Sequence, residues 1–177
     1  MGNSAEWELP NGMTVVLARL ADTDAVLTIW ADADDWMRKR GIQPGVPPMP
    51  LHDIITGRIK RGASYVARQS GPTGEIVGTI TLEWADDGLW SDKGMDRACY
   101  VHGLATQRAR AGQGIGIALL QWAEEIARAT GKTYLRLDCD ASNPMLRAYY
   151  ERAGLTHCGD VHTLIYYASR FEKRIQS

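Results

Sequence analysis

The stretch that decides the reading is Leu104-Ala-Thr-Gln-Arg-Ala-Arg-Ala-Gly-Gln-Gly-Ile-Gly116, followed by Ile117-Ala-Leu-Leu120. A strand-like run, Arg97 to Thr106, leads into it. Ile117, Leu119, Leu120, Trp122, Ala123, Ile126 and Ala127 follow at helical spacing, and Gly131 closes that helix. Between strand and helix, Gly112, Gly114 and Gly116 let the backbone curl with its N–H groups turned inward, because no Cβ stands in the way. The helix start adds N–H groups without intrahelical acceptors and the positive end of the peptide dipoles. Strand, glycine-rich turn and helix together predict a receptor for phosphate or pyrophosphate. Arg108 and Arg110 are expected to add positive charge to it.

Two other phosphate-binding patterns fit poorly. A dinucleotide fold needs Gly-x-Gly-x-x-Gly, but counting from Gly112 the last position is Ile117. A nucleotide-binding oxidoreductase is disfavoured on that ground. A P-loop needs Gly-Lys-Ser/Thr, which the segment lacks.

The next informative segment is Leu135-Arg-Leu-Asp-Cys-Asp-Ala-Ser-Asn143, continuing through Pro144 and Tyr149-Tyr150 to Gly154-Leu155. Thr133 to Cys139 reads as a strand. Asn143 and Pro144 open a helix to about Ala153, with Pro144 tolerated in the first turn and Gly154 stopping it. Asn143 and Tyr150 are seven residues apart, about two helical turns, so they lie on roughly the same side. By themselves they also fit an N-cap and a packed aromatic residue.

Further out, Thr14 to Arg19 predicts a strand after the turn signal Pro10-Asn11-Gly12. Asp22 or Thr23 can cap a helix to about Arg40, with Val26, Ile29, Trp30, Ala33, Trp36 and Met37 on one face. Gln43 to Pro50 carries four of the seven prolines and reads as a loop, and Leu51 to Lys60 as a second helix. Ser64 to Arg68 and Glu75 to Glu83 form a hairpin through Gly71-Pro72-Thr73-Gly74. Asp86 to Asp96 reads as a loop containing Leu89 and Trp90. Strand-like runs near Thr156 to Asp160 and Thr163 to Ala168 close the chain. The expected organisation is an N-terminal extension, 1–13, and a single α/β domain, 14–177.

Taken together, the glycine-rich segment and the Asn143–Leu155 segment resemble the GNAT superfamily of N-acyltransferases. The family's Arg/Gln-x-x-Gly-x-Gly/Ala motif matches at Gly114 and Gly116, and its strand, Asn, Tyr-bearing helix and Gly plus apolar residue match the later segment. The likeness covers about residues 14 to 168. It departs at Ala111, where the family carries Arg or Gln; Arg110 just before it is a substitute. The resemblance implies a mixed α+β fold, with a central, mostly antiparallel twisted sheet, a splayed pair of strands and about four flanking helices. It implies acetyl-CoA as co-substrate, and no metal. Leu104, Ala105 and Thr106 would pair with the pantetheine arm. Arg110, Ala111, Gly112, Gln113, Gly114, Ile115 and Gly116 would hold the pyrophosphate. Asn143 would contact the coenzyme and Tyr150 would stand near its sulfur. A homodimer is compatible with the fold.

The implied reaction is attack of a primary amine, on a small molecule or peptide, at the thioester carbonyl. A lysine-like amine with a pKa of about 10.4 lies about 3.4 units from neutrality at pH 7, a cost of roughly 4.6 kcal/mol, so a general base is expected. His102 is a candidate from its ordinary imidazole range, and it is equally compatible with a structural role. Tyr100, on the same strand face, falls where the resemblance places a glutamate, and Glu83 ends the preceding strand. Tyr150 would assist the leaving thiolate. Backbone N–H near Leu104 or Thr106 could stabilise the oxyanion. Trp30, Trp36, Trp84 and Trp90 are candidates for walling the acceptor pocket, with core packing the plainer reading for the first two. A non-catalytic acyl-CoA sensor on the same fold is the alternative.

Bulk properties agree with a globular chain and exclude several classes. The 177 residues are 45% hydrophobic and 23% charged, with a net charge of −1. Nothing there favours nucleic acid or a membrane surface. Three cysteines, Cys99, Cys139 and Cys158, do not make a disulfide framework, and the four histidines lack metal-ligand spacing. With no secretory h-region and no apolar run long enough to span a bilayer, the chain reads as cytoplasmic.

Overall fold

The computed structural model describes residues 6–9, 12–42, 49–94, 97–162 and 167–175. Its elements, in chain order, are β1 (Trp7–Glu8), β2 (Met13–Leu17), α1 (Thr23–Arg38), α2 (Leu51–Lys60), β3 (Ser64–Gln69), β4 (Ile76–Glu83) and α3 (Asp87–Trp90). After these come β5 (Ala98–Thr106), α4 (Ile115–Ala129), β6 (Tyr134–Asp140), α5 (Pro144–Arg152), β7 (Thr156–His162) and β8 (Tyr167–Arg174). This is a mixed α/β fold built on a mostly antiparallel sheet. The chain divides into two compact units, Met1–Thr81 with Gly103–Leu119, and Leu82–His102 with Leu120–Ser177.

In the first unit β1, β2, β3 and β4 follow one another as neighbours, with antiparallel ladders from β1 to β2, β2 to β3 and β3 to β4. The apolar stripe of α1 buries Val26 and Ile29, and that of α2 buries Ile55 and Ile59 one turn apart. They close a core with Val16, Ala18, Val66 and Ile76. Asp22 does not cap α1 by its side chain. Its carboxylate accepts the Arg19 N–H at 2.8 Å and an Arg68 N–H at 2.6 Å, and a 3-10 turn over Leu20–Asp22 leads into the helix.

In the second unit β6 pairs β8, and β8 pairs β7, both antiparallel. The β5–β6 ladder is parallel and its pairs run from Ala98↔Tyr134 to Val101↔Leu137. β5 goes on to Thr106 through Gly103, whose φ of 59° is a left-handed conformation that costs a side chain but not glycine.

Two features that the sequence reading did not give have physical causes. The stretch 1–13 holds β1, where Trp7 pairs with Val15 and sets its ring edge-on to Tyr65, with centroids 6.1 Å apart. Two residues carry no readable period. The stretch from Asp86, expected as loop, contains α3 and a 3-10 turn at Ser91–Lys93, and Trp90 is fully buried in it. A single-turn helix is likewise too short to show periodicity. The closing strand begins at Tyr167, and residues 163–166 of the expected run lie outside the described residues, as do Pro10, Asn11 and 43–48.

Within the first unit the start of α4 rests on β4 at Gly78. A Cβ there would meet Leu119 Cδ1 at 3.1 Å and Ile115 Cγ2 at 3.2 Å. Gly78→Val should therefore overpack this contact and cost about 1–3 kcal/mol, read as a lower midpoint in chemical denaturation.

Candidate functional site

In the first unit the glycine-rich turn links β5 to α4. Gln107 fixes its entry: its backbone N–H donates to Val77 O at 2.9 Å, and its side-chain amide donates to Ile76 O and to Glu75 Oε1, both at 2.9 Å. Gly112 and Gly114 take φ of 82° and 74°, and nothing lies within 4 Å of a Cβ placed on either. An L-side chain there is strained although there is space for it. Ala118 N–H donates to Gly114 O at 2.9 Å, the first helical bond of α4. The N–H groups of Ile115, Gly116 and Ile117 then occupy the first helical positions, where no intrahelical acceptor exists. Here the turn offers backbone donors to an anion.

The two arginines of the turn are engaged elsewhere. Arg110 donates to Glu75 Oε2 at 3.0 Å and to Gln107 Oε1 at 3.1 Å. The Gln107 amide first, and Arg110 second, hold the Glu75 carboxyl below its ordinary range. Arg108 stacks on Trp36 at 4.0 Å from the ring centroid, as does Arg40. Burial, with the Arg40 charge second, lowers the Arg108 pKa. Leu104, Ala105 and Thr106 are half-buried along β5. A cleft in this unit is lined by Trp30, Arg58, Ser64, Thr79, Thr81 and Gly103, among others.

In the second unit the β5–β6 ladder sorts side chains by face. Residues two apart share a face, so Tyr100 and His102 stand on one side of β5, and Arg136 and Asp138 on the same side of β6, since Tyr100 pairs with Arg136. The opposite face carries Cys99, Val101, Leu135 and Leu137, all buried. Tyr100 is fully buried against Trp90, and Arg136 donates to its hydroxyl at 3.3 Å. Tyr100 is thus a core residue with its oxygen engaged by a cation. Two residues further along each strand, just past the last ladder pair Val101↔Leu137, His102 and Asp138 meet Asp86. The ligand atoms of these three side chains all lie within 4.8 Å of one another, and His102 Nε2 is 3.6 Å from Asp86 Oδ2. Asp86 is held by its other oxygen, Oδ1, which caps α3 by accepting the Leu89 N–H at 3.2 Å. Glu83 ends β4 half-buried, but the carboxylates that share the cluster with the imidazole are Asp86 and Asp138.

Neither Asp86 nor Asp138 stood out in the sequence. Asp138 had a signal: an acidic residue in the middle of a strand whose neighbours Leu137 and Cys139 are apolar. Asp86 had none, because its place depends on the fold of the segment that follows it.

Asn143 is buried and caps α5, its side-chain oxygen accepting the Leu146 N–H at 3.1 Å. Tyr150, two turns on, is buried with its ring 5.7 Å from that of Phe171 and 5.4 Å from that of Tyr149. Burial first, then the neighbouring Cys139, Tyr149 and Asp138, pushes its hydroxyl well above the ordinary tyrosine range. Burial also pushes the Cys99 and Cys139 thiols up to about 12 and raises Cys158. A thiol so protonated is a poor nucleophile. Of the four candidate tryptophans, Trp90 is core, Trp36 is stacked with arginines, Trp30 lines the cleft, and Trp84 is exposed with Lys132 Nζ 5.7 Å from its ring.

The sequence profile described as the Acetyltransferase (GNAT) family matches residues 29–155. The uncharacterized N-acetyltransferase YesJ of Bacillus subtilis (strain 168) is 32% identical over 155 residues, covering 85% of this chain and 86% of that protein. The S-(2-succino)cysteine N-acetyltransferase of the same organism is 31% identical over 147 residues, covering 81% and 84%. Among solved structures, a GNAT-family acetyltransferase from Streptococcus agalactiae superposes with a TM-score of 0.79 at 17% identity, covering 98% of this chain and 100% of that one. The yncA protein of Salmonella typhimurium, solved with its cofactor acetyl-CoA, gives 0.64 at 16% identity, covering 93% and 95%. Among the described residues no helix is long and apolar enough to cross a membrane.

The position of Tyr100 predicts a stability phenotype rather than a catalytic one. Tyr100→Phe removes one hydrogen bond to a buried guanidinium and should cost about 1–3 kcal/mol in denaturant unfolding. Its kcat, measured well below the melting temperature, should stay within about twofold of wild type, a difference of under 0.5 kcal/mol.

Proposed function

The chain belongs to the GNAT family of acetyltransferases, and from that premise we propose that it transfers the acetyl group of acetyl-CoA to a primary amine by direct attack on the thioester. The observation that carries this reading is the turn at Gly112 and Gly114, where left-handed backbone opens onto the start of α4. Its N–H groups, not its arginines, are the donors for the pyrophosphate. Ala111 in place of the family's Arg or Gln is then tolerable. Leu104 to Thr106 pair with the pantetheine arm by backbone groups, and an N–H of the same strand polarises the thioester carbonyl.

Direct transfer is supported by the state of the cysteines. A covalent acyl-cysteine route needs a thiolate, and burial raises all three thiols above their ordinary range, which disfavours that form. The amine therefore attacks the carbonyl itself, loses its proton to His102 or through water to it, and expels the coenzyme thiolate. Tyr150 meets that thiolate. Its raised pKa makes full proton transfer more uphill than for an ordinary tyrosine, and leaves a hydroxyl that stays neutral at working pH. Donation of a hydrogen bond to the developing thiolate is the fitting role. Asn143 serves as the cap that fixes the helix carrying Tyr150. Because one relative is named for acetylating a cysteine derivative, the acceptor class to test first is the α-amine of a modified amino acid.

The reading is tested in two steps. Gly114→Glu places a Cβ at positive φ and a negative charge where the phosphates bind. Calorimetry should show acetyl-CoA affinity falling at least about tenfold, or 1.4 kcal/mol, with the circular dichroism unchanged; an unchanged affinity removes the turn from the site. For chemistry, Tyr150→Phe should lower kcat by roughly 10²-fold, with acetyl-CoA affinity little changed. In the wild type no alkaline limb from Tyr150 should appear below about pH 10, since burial raises its pKa above that ordinary value. Tight acetyl-CoA binding without thiol release on any amine of a broad panel would point to a sensor instead.

A further inference from the structure

The cluster of Asp86, His102 and Asp138 contains one buried carboxylate oxygen without a hydrogen bond. The 3.6 Å between His102 Nε2 and Asp86 Oδ2 is too long for a hydrogen bond. Asp86 Oδ2 is buried and has no hydrogen-bond partner. A carboxylate oxygen removed from water without a donor costs about 1–3 kcal/mol or more, so it needs a positive partner. The other oxygen of Asp86 is fixed by the Leu89 N–H, which leaves Oδ2 aimed at the imidazole.

The same spacing suits a shared cation. Two ligands each about 2.1 Å from a tetrahedral metal stand about 3.4 Å apart. The three ligand atoms, all within 4.8 Å of one another, need to close by at most about 1.4 Å to reach that spacing. They come from the cap of α3 and from two neighbouring strands, so the backbone already holds them to one side. All three are partly buried, and a cation among them would be shielded less by water than at a surface. We propose that Asp86, His102 and Asp138 bind one divalent cation of the zinc class, with the remaining coordination positions filled by water.

The donor set decides the class. One imidazole with two carboxylates suits Zn²⁺ and its neighbours among the transition metals, whereas Mg²⁺ and Ca²⁺ prefer oxygen alone. The other close His–Asp contact in this unit, His157 Nε2 to Asp160 Oδ1, is 2.6 Å and closed as a hydrogen bond, and Ser169 donates to the same oxygen at 2.6 Å. It leaves no space for a cation. The site assignment stands apart from acetyl transfer, but where that reading holds it has a consequence. Zinc takes the imidazole lone pair that the acceptor amine needs, so acetylation falls as the cation binds.

The test is calorimetric titration of chelator-stripped protein with ZnCl₂, then with MgCl₂. Wild type should show one saturable zinc site of micromolar affinity or tighter and no magnesium heat. Asp86→Asn, His102→Gln and Asp138→Asn preserve shape and should each weaken zinc by at least about tenfold, whereas His157→Gln should leave it unchanged. Should one of the three variants fail to fold by circular dichroism, the other two decide. Absence of saturable zinc binding, or equal binding in the folded variants, overturns the site. Because the readout is binding heat, this outcome is independent of whether any amine is acetylated.

Discussion

Trp90 is fully buried with the guanidinium carbons of Arg136 and Arg170 at 4.9 and 5.3 Å from its ring centroid. Two buried cations are costly to desolvate unless each finds hydrogen-bond acceptors. Arg136 finds Glu172 Oε2 at 3.1 Å, Lys93 O at 2.9 Å, Gly94 O at 3.2 Å and the Tyr100 hydroxyl. Arg170 finds Leu89 O at 3.0 Å and Asp92 Oδ1 at 2.7 Å, and that bond holds the Asp92 carboxyl below its ordinary range. Every acceptor other than Glu172 and Tyr100 lies between Leu89 and Gly94. The segment after β4 is thus shaped around the needs of two arginines on β6 and β8.

What hangs on that arrangement is Asp86. It begins the segment, and its cap on α3 depends on the turn that Trp90 anchors. Tyr100 pairs with Arg136, and His102 and Asp138 lie two residues further along the same faces of β5 and β6, so the pair that stabilises the segment and the pair that faces Asp86 are neighbours on one face. Removing the guanidinium–indole packing would release the segment and move a carboxylate from the imidazole without touching either.

Burial sets the chemistry as well as the fold. The Tyr150 ring packs against Phe171 as a core residue would, and the same burial keeps its hydroxyl protonated. The cysteines are silenced by the same physics, since an apolar surrounding disfavours the thiolate.

By itself the sequence determined the long elements and the turn. The stripe of Val26 and Ile29, the matching pair Ile55 and Ile59, and the alternation along β5 and β6 have the periods of helix and strand, and a period survives in one dimension. Gly112 and Gly114 were legible because only glycine takes positive φ without cost, so their spacing before an apolar helix is a conformational statement. Tertiary structure alone decided which polar groups meet. Arg108 stacks on Trp36 and Arg110 meets Glu75, partners far from them in the sequence. The Tyr100 hydroxyl meets a guanidinium on the next strand. Asp86 and Asp138 are 52 residues apart in the chain and come to one imidazole only through strand pairing and the packing of Trp90. Such contacts carry no sequence period, because the distance between two side chains is set by the register of a ladder and the burial of a third residue.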